Sequence, residues 1–132
     1  MIIDKYINEI ESLLNKRKVI QFKLLQVSFN IACIKIKLED NDELIVKYDV
    51  KPKRIFNPIE SEAKNLQYLN ERLNFFPKII NFNKNCLIVE FYENDGNKPT
   101  NTNLDFLESI IKIHTISNNL FGFVFNTQIG AL

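Results

Sequence analysis

The sequence has 132 residues, of which 45% are hydrophobic and 25% charged, as expected for one globular domain with its own core. Lysine and arginine number 17 and acidic residues 16, and this net charge of +1 argues against a strongly basic nucleic-acid binder. No apolar run is long enough to cross a bilayer, and Asp4 and Glu9 interrupt the pattern of a signal peptide. We therefore expect a cytoplasmic protein without nucleic-acid or membrane partners.

Periodic apolar residues predict the elements of the first half of the chain. Helical spacing on one face begins it, at Ile3, Ile7, Ile10 and Leu14. Three strands are predicted next, over residues 19–26, 31–38 and 44–50. Because the acidic turn at 39–43 separates the last two strands, they are expected to form a hairpin.

The second half resumes with a helix over residues 59–73, which Pro77 prevents from extending further. A short strand at 78–82 and a strand at 86–92 follow, the second apolar enough to be buried on both faces. Residues 93–101 have no periodicity and read as a linker. Thr102 with Asp105 resembles a capping pair that would open a last helix. The inner face of that helix would carry Leu104, Leu107, Ile111 and His114.

This order of elements predicts an α+β fold, with a mostly antiparallel sheet of about five strands crossed by one helix. It is the outline of a kinase-like nucleotide-binding lobe. We predict this N-terminal lobe over residues 1–92. Residues 93–132 would form the hinge or linker and the first helix of a truncated C-terminal lobe.

Lys47 and Glu62 are the first candidates for a functional pair. A lysine late in an apolar strand can contact ATP phosphates when a carboxylate on a nearby helix orients it. Glu62, in the next predicted helix, follows Lys47 by 15 residues. The alternative is a solvated lysine on an alternating strand and a solvated glutamate on a helix.

The strand over residues 86–92 ends just before the linker, where kinases present backbone groups to adenine. Here the carbonyl of Glu90 and the N–H of Tyr92 would do so; the alternative is a core strand that simply runs into a loop. His114, the only histidine, is expected to be a hydrogen-bonded core residue. Cys33 and Cys86 lack metal-ligand spacing and are expected to be buried free thiols. No phosphate-binding P-loop motif occurs, and the sequence holds three glycines.

Several stretches, taken in order, resemble the fructosamine kinase family (ketosamine 3-kinases), within the aminoglycoside phosphotransferase and choline kinase-like superfamily. "SFNIACIKI" resembles the family's S-I-N-x-A-Y-R, "LIVKYD" its F-V-K strand and "IESEAKNLQYL" its E-A-E-G-L-x-x-L helix. "PKIINFNKNCLIVEFY" resembles its P-K-V and L-V-L-E-Y strands, and "KIHTIS" its L-H-x-x-S. The closing "FGFVFNTQIGAL" resembles F-G-F-x-x-D-N-x-I-G-x-x-P-Q-x-N, cut short before Pro-Gln-Asn.

The resemblance implies an ATP site. Lys47 would contact the phosphates and pair with Glu62, Glu90 and Tyr92 would hold adenine through their backbone, and Ser28 and Asn30 would lie under the phosphate-covering turn. The chain departs from the family at four positions: Gln26 and Val27 replace glycines of that turn, Cys33 an aromatic residue and Asn126 an aspartate. Because glycine lets backbone N–H groups approach phosphate closely, the first two departures put the grip on the triphosphate in doubt.

The family's H-G-D-x-x-x-x-N-like catalytic loop and its magnesium-binding aspartate lie beyond the matching region. We therefore expect no catalytic residue and no metal ligand in this chain, with ATP as its ligand and Mg²⁺ only alongside the missing C-terminal lobe. The leading hypothesis is the ATP-binding lobe of a ketosamine kinase, not competent alone. The alternative is a non-catalytic binding module that keeps the fold. Segment 102–132 would bind a separate C-terminal lobe or self-associate.

Overall fold

The computed structural model describes residues 2–51, 57–93, 96 and 103–116, and the side chains of these except Ile2 and Ile3. Most of the predicted linker, Thr102 and the closing segment 117–132 lie outside the described residues. The elements are α1 (Ile2–Leu13), β1 (Val19–Ser28), β2 (Ile31–Leu38), β3 (Glu43–Asp49), α2 (Pro58–Asn70), β4 (Ile79–Phe82), β5 (Cys86–Glu90) and α3 (Leu104–His114). The predicted α+β fold, with one antiparallel sheet of five strands, is confirmed.

The strands lie in the order β1-β2-β3-β5-β4, and every neighbouring pair is antiparallel. β1 and β2 are joined by a two-residue turn in which Phe29 and Asn30 have φ angles of 49° and 63°. Positive φ at both central residues is what a type I′ hairpin turn requires. The predicted hairpin of β2 and β3 is also present, and Asn41 in its turn has φ 71°. Neither turn contains glycine.

The first face of the sheet is covered by α1. Every second residue of β2 and β3 is buried there, because successive side chains of a strand point to opposite faces. Ile10 and Leu14 carry the apolar side of α1 into this core, with 0% and 2% of their surfaces exposed. The strands contribute Ala32, Ile34, Ile36, Leu38, Leu44, Val46, Tyr48, Cys86 and Ile88.

A polar network fixes α1 to this face. The hydroxyl of Tyr48, a residue that is 5% exposed, donates a hydrogen bond to the carboxylate of Glu9. The side-chain amide of Asn83 donates a second one to Glu9, at 2.8 Å. The rings of Tyr6 and Tyr48 lie with their centroids 4.4 Å apart. Burial and the bonded carboxylate both raise the pKa of Tyr48, so its hydroxyl remains a donor throughout the neutral range.

The second face is covered by α2, which packs against β3, β4 and β5. Asn57 caps this helix by accepting a hydrogen bond from the N–H of Glu60 at 2.9 Å, and Pro58 opens its first turn. The amide of Asn57 also donates to the carbonyl of Lys84, which ties the start of the helix to the β4–β5 turn. Ile59 and Ala63 are buried against Leu87 and Val89, so α2 lies directly over β5.

The last helix, α3, differs from the prediction in two respects. Its N-cap is Asn103, whose side chain accepts from the N–H of Phe106 at 3.0 Å, rather than the pair that Thr102 would open. His114 is exposed, whereas it was expected on a buried inner face. Leu104 and Ile111 are 72% and 62% exposed, and no described residue of α3 is buried. The helix is therefore amphipathic with its apolar side uncovered by any described element.

Candidate functional site

Lys47 and Glu62 lie in direct contact, where α2 crosses the sheet. The ammonium group of Lys47 donates a hydrogen bond to Oε1 of Glu62 and forms an ion pair with it. About a third of each side chain is exposed, 33% for Lys47 and 38% for Glu62. The pair is therefore within reach of a ligand that comes from solvent.

The position of this pair follows from strand register and from small residues in α2. Lys47 lies opposite Leu87 in β5, and Leu87 is buried beneath α2, so the lysine points to the α2 side of the sheet. Ser61 and Ala63 flank Glu62 and are buried. Because neither side chain is large, the helix backbone can approach the sheet closely enough for Glu62 to reach β3.

The α2 side of the sheet is only partly covered, and its uncovered part is rich in lysine. We call this part the open surface; by strand register it carries the side chains of Gln26, Lys23, Cys33, Lys35 and Lys37. Cys33 lies directly opposite Lys47, so the open surface and the Lys47–Glu62 pair are continuous. Four lysines lie on this side of the sheet; Glu43 and Glu62 pair with Lys35 and Lys47, so any excess positive charge that could attract anions comes from Lys23 and Lys37.

Sequence reasoning interpreted Lys35 and Lys37 only as the polar half of an alternating strand. Their common parity with Cys33, together with the hairpin register that places Cys33 opposite Lys47, puts all of these residues on one face. The alternation of β2 is visible in the sequence. It assigns these residues to the face of Lys47 only when the register of the hairpin is known, because a shift by one residue reverses the face of every side chain.

Ser28 lies at one end of this surface. It pairs with Ile31, which pairs in turn with Asp49, two residues along β3 from Lys47. The side chain of Ser28 is therefore on the same side of the sheet and is exposed. Asn30 has a different position: it is a half-buried turn residue whose carbonyl accepts a hydrogen bond from the N–H of Val50 at 3.0 Å.

Glu90 and Tyr92 lie at the other end, where β5 leaves the sheet. Glu90 pairs with Leu44 of β3, whereas Ser28 is aligned through Ile31 with Asp49 of β3. Leu44 and Asp49 are about 17 Å apart along the strand. The backbone N–H of Glu90 already donates to the carbonyl of Lys78. The Tyr92 hydroxyl donates to the Glu90 carboxylate, and this bond raises the pKa of Tyr92. The backbone carbonyl of Glu90 and the N–H of Tyr92 are the groups that the sequence predicts to form hydrogen bonds with adenine.

The two cysteines have different surroundings. Cys86 is buried in the α1 core, and burial raises the pKa of its thiol to about 12. Cys33 is half-buried on the open surface, so the expectation of two buried thiols is correct for Cys86 alone. In the described part of the chain, no group of three His, Cys, Asp or Glu side chains is placed to hold a metal ion.

A magnesium ion does not fit the residues of this surface. Mg²⁺ takes oxygen ligands. The carboxylates on this side include Glu43 and Glu62, each of which forms an ion pair with a lysine, and Asp49, which is buried and accepts a hydrogen bond from the N–H of Lys51. We therefore derive no chemical step through a metal from this chain.

Two further features lie apart from the candidate residues. A cleft of about 620 Å³ runs between the C-terminal end of α2 and β4, and none of the sequence-predicted site residues lines it. None of the described helices has the length and apolar character needed to cross a bilayer.

Comparisons with known proteins give one significant structural relative. No protein-family model matches the sequence, and no curated protein does so. A crystal structure of a protein from Thermobifida fusca, provisionally assigned as a fructosamine-3-kinase, superimposes with a TM-score of 0.61 at 20% identity. The match covers 71% of this chain and 32% of that protein, so the chain spans about a third of its relative's length. The five-stranded antiparallel sheet and its helices have the fold of the N-terminal lobe of a kinase-like protein.

Proposed function

We propose that this chain is the ATP-binding lobe of a kinase of the fructosamine kinase type. The observation that carries the proposal is the contact between Lys47 and Glu62 on the α2 side of the sheet. A lysine held by a helix carboxylate presents its remaining N–H groups in a fixed direction, as a phosphate clamp requires. The kinase-like fold supports the same assignment.

In this proposal the nucleotide lies along the uncovered part of the sheet. Its phosphates contact Lys47 near Ser28, and its base lies toward the backbone of Glu90 and Tyr92. Lys23 and Lys37 of the open surface add a favourable potential for a polyanion. The acceptor class, a sugar hydroxyl next to an amine-linked carbon, comes from the family resemblance and from the relative's assignment. Transfer itself would need groups that these residues do not supply.

The test is calorimetric titration of the full 132-residue chain with ATP and Mg²⁺. Lys47→Ala should weaken binding by about tenfold or more, because a charge-assisted hydrogen bond to phosphate contributes about 1.5–3 kcal/mol. Lys84→Ala removes the same charge from an exposed turn and is the matched control. Equal affinity of the wild type and Lys47→Ala, or no binding by the wild type, would reject the proposal.

A second candidate function, a non-catalytic interaction module, is favoured by the exposed apolar side of α3. Leu104, Ile111 and Ile113 are 72%, 62% and 42% exposed, and such a helix commonly packs on another surface. A separate helical lobe or a second copy of the chain would cover it. Ile111→Lys should abolish concentration-dependent association in analytical ultracentrifugation. A wild type that stays monomeric and binds ATP would count against this candidate.

A further inference from the structure

Lys35, Glu43 and Phe91 form a cluster beside the proposed base site. Lys35 of β2 makes an ion pair with Glu43 of β3, and the two side chains are 32% and 36% exposed. The same ammonium group lies 4.1 Å from the centroid of the Phe91 ring, within the range of a cation–π contact. The adjacent ammonium group of Lys35 lowers the pKa of Glu43, so the carboxylate is charged at neutral pH.

The position of the cluster relates it to the segment that leaves β5. Lys35 lies opposite Ile45, which lies opposite Val89, so the cluster is on the α2 side of the sheet. The strand pairing of β5 ends at Glu90, one residue before Phe91. From there the orientation of the backbone depends on side-chain contacts, and the contact of Phe91 with Lys35 joins this segment to β2.

We propose that Lys35 is a positioning residue for the base of the bound nucleotide: held by Glu43, it fixes the Phe91 ring and thereby the backbone from Glu90 to Tyr92. The inference rests on the proposed function, which assigns that backbone to the base. Lys35 acts through Phe91 and does not itself need to touch the nucleotide. Loss of the contact would let the segment move and would weaken recognition of the base while leaving the phosphate grip of Lys47 intact.

The experiment compares two probes on the full chain, ATP with Mg²⁺ and inorganic tripolyphosphate, which lacks a base. Lys35→Met removes the charge and keeps the apolar stem, and it should weaken ATP binding about threefold to fivefold more than tripolyphosphate binding. Lys37→Met is the matched control, because it removes the same charge from the same strand and the same face. It should affect the two probes equally. Lys35→Arg should restore the wild-type ratio, since a guanidinium group also stacks on an aromatic ring.

Three outcomes separate the claims. If Lys35→Met lowers the affinity for both probes by the same factor, Lys35 contributes only positive charge that attracts the phosphates, and the positioning role is wrong. If Lys35→Met changes neither affinity while Lys47→Ala still weakens the binding of both probes, the inference fails and the proposed function stands. If the wild type binds neither probe, the proposed function fails, and the inference fails with it. Phe91→Leu should reproduce the change in ratio, and adding it to Lys35→Met should cause no further loss.

Discussion

Lys47 of β3 and Glu62 of α2 are 15 residues apart in the sequence and share a hydrogen bond across the sheet–helix junction. The bond joins β3 to a helix that is already packed on the neighbouring strand β5 through Ala63 and Leu87. Because apolar packing holds the junction, the polar pair is available for binding. Its contributions to stability and to binding can be measured separately.

Glu62→Gln should change the free energy of unfolding by less than about 1 kcal/mol, because partly exposed ion pairs contribute little to stability. The same substitution should weaken ATP binding by about tenfold, because Lys47 loses the partner that orients it. Urea denaturation and calorimetry measure the two quantities. Glu60→Gln, on the exposed side of the same helix, should change neither. A loss of stability that matches the loss of binding would contradict this account.

The bond between Tyr48 and Glu9 should matter for stability rather than for binding. Tyr48→Phe leaves the half-buried Glu9 carboxylate without one of its two donors, and we expect a loss of about 1.5–3 kcal/mol in the free energy of unfolding. Tyr6→Phe keeps the neighbouring ring and should cost less than about 0.5 kcal/mol. Equal destabilisation by both substitutions would show that the hydroxyl of Tyr48 has no special role.

The two thiols should react at very different rates. Cys86 is buried and its pKa is raised to about 12, so it should resist a disulfide reagent at about pH 8 until the chain unfolds. Cys33 should react in the native protein, and bound ATP should slow this reaction because Cys33 lies opposite Lys47. The checks are Cys33→Ser, which should remove the fast phase, and Cys86→Ala, which should keep it. Labelling of both thiols at one rate would contradict the burial of Cys86.

Acid should weaken the Lys35–Glu43 pair. The pKa of Glu43 lies below its usual value of 4.5 in the folded chain, so its contribution to stability is complete above that pH. The contribution is lost as the pH falls through the lowered pKa. The difference in unfolding free energy between the wild type and Glu43→Gln should therefore shrink as the pH is lowered below 4.5. A difference that stays constant over this range would show that the pair contributes nothing through charge.

Much of the fold could be predicted from local patterns. The alternation in residues 31–38 places β2 with its observed bounds, because a strand with one buried face repeats every second residue. The helix that carries Glu62 was also predicted, although it runs from Pro58 to Asn70 rather than over 59–73. Its start depends on the cap at Asn57, and helix ends are less strongly determined by periodicity than helix centres.

Contacts between distant residues could not be predicted in the same way. Tyr48 and Glu9 are 39 residues apart, and their meeting depends on which face α1 covers. The contact of Lys35 with Phe91 depends on the strand order β2-β3-β5, since it reaches past a whole strand. The exposure of His114 was misjudged because an amphipathic pattern tells which side of a helix is apolar and not whether another element covers it.

The period of two in β2 and β3 has a consequence for how this chain can evolve. Even-numbered positions such as Ile34 and Val46 are buried under α1, whereas odd-numbered positions such as Lys35 and Lys47 are accessible on the other side. Mutational tolerance should therefore alternate from one position to the next along both strands. Substitutions at the accessible positions could change the ligand preference of that side without destabilising the core, since adjacent residues of a strand have side chains on opposite faces of the sheet.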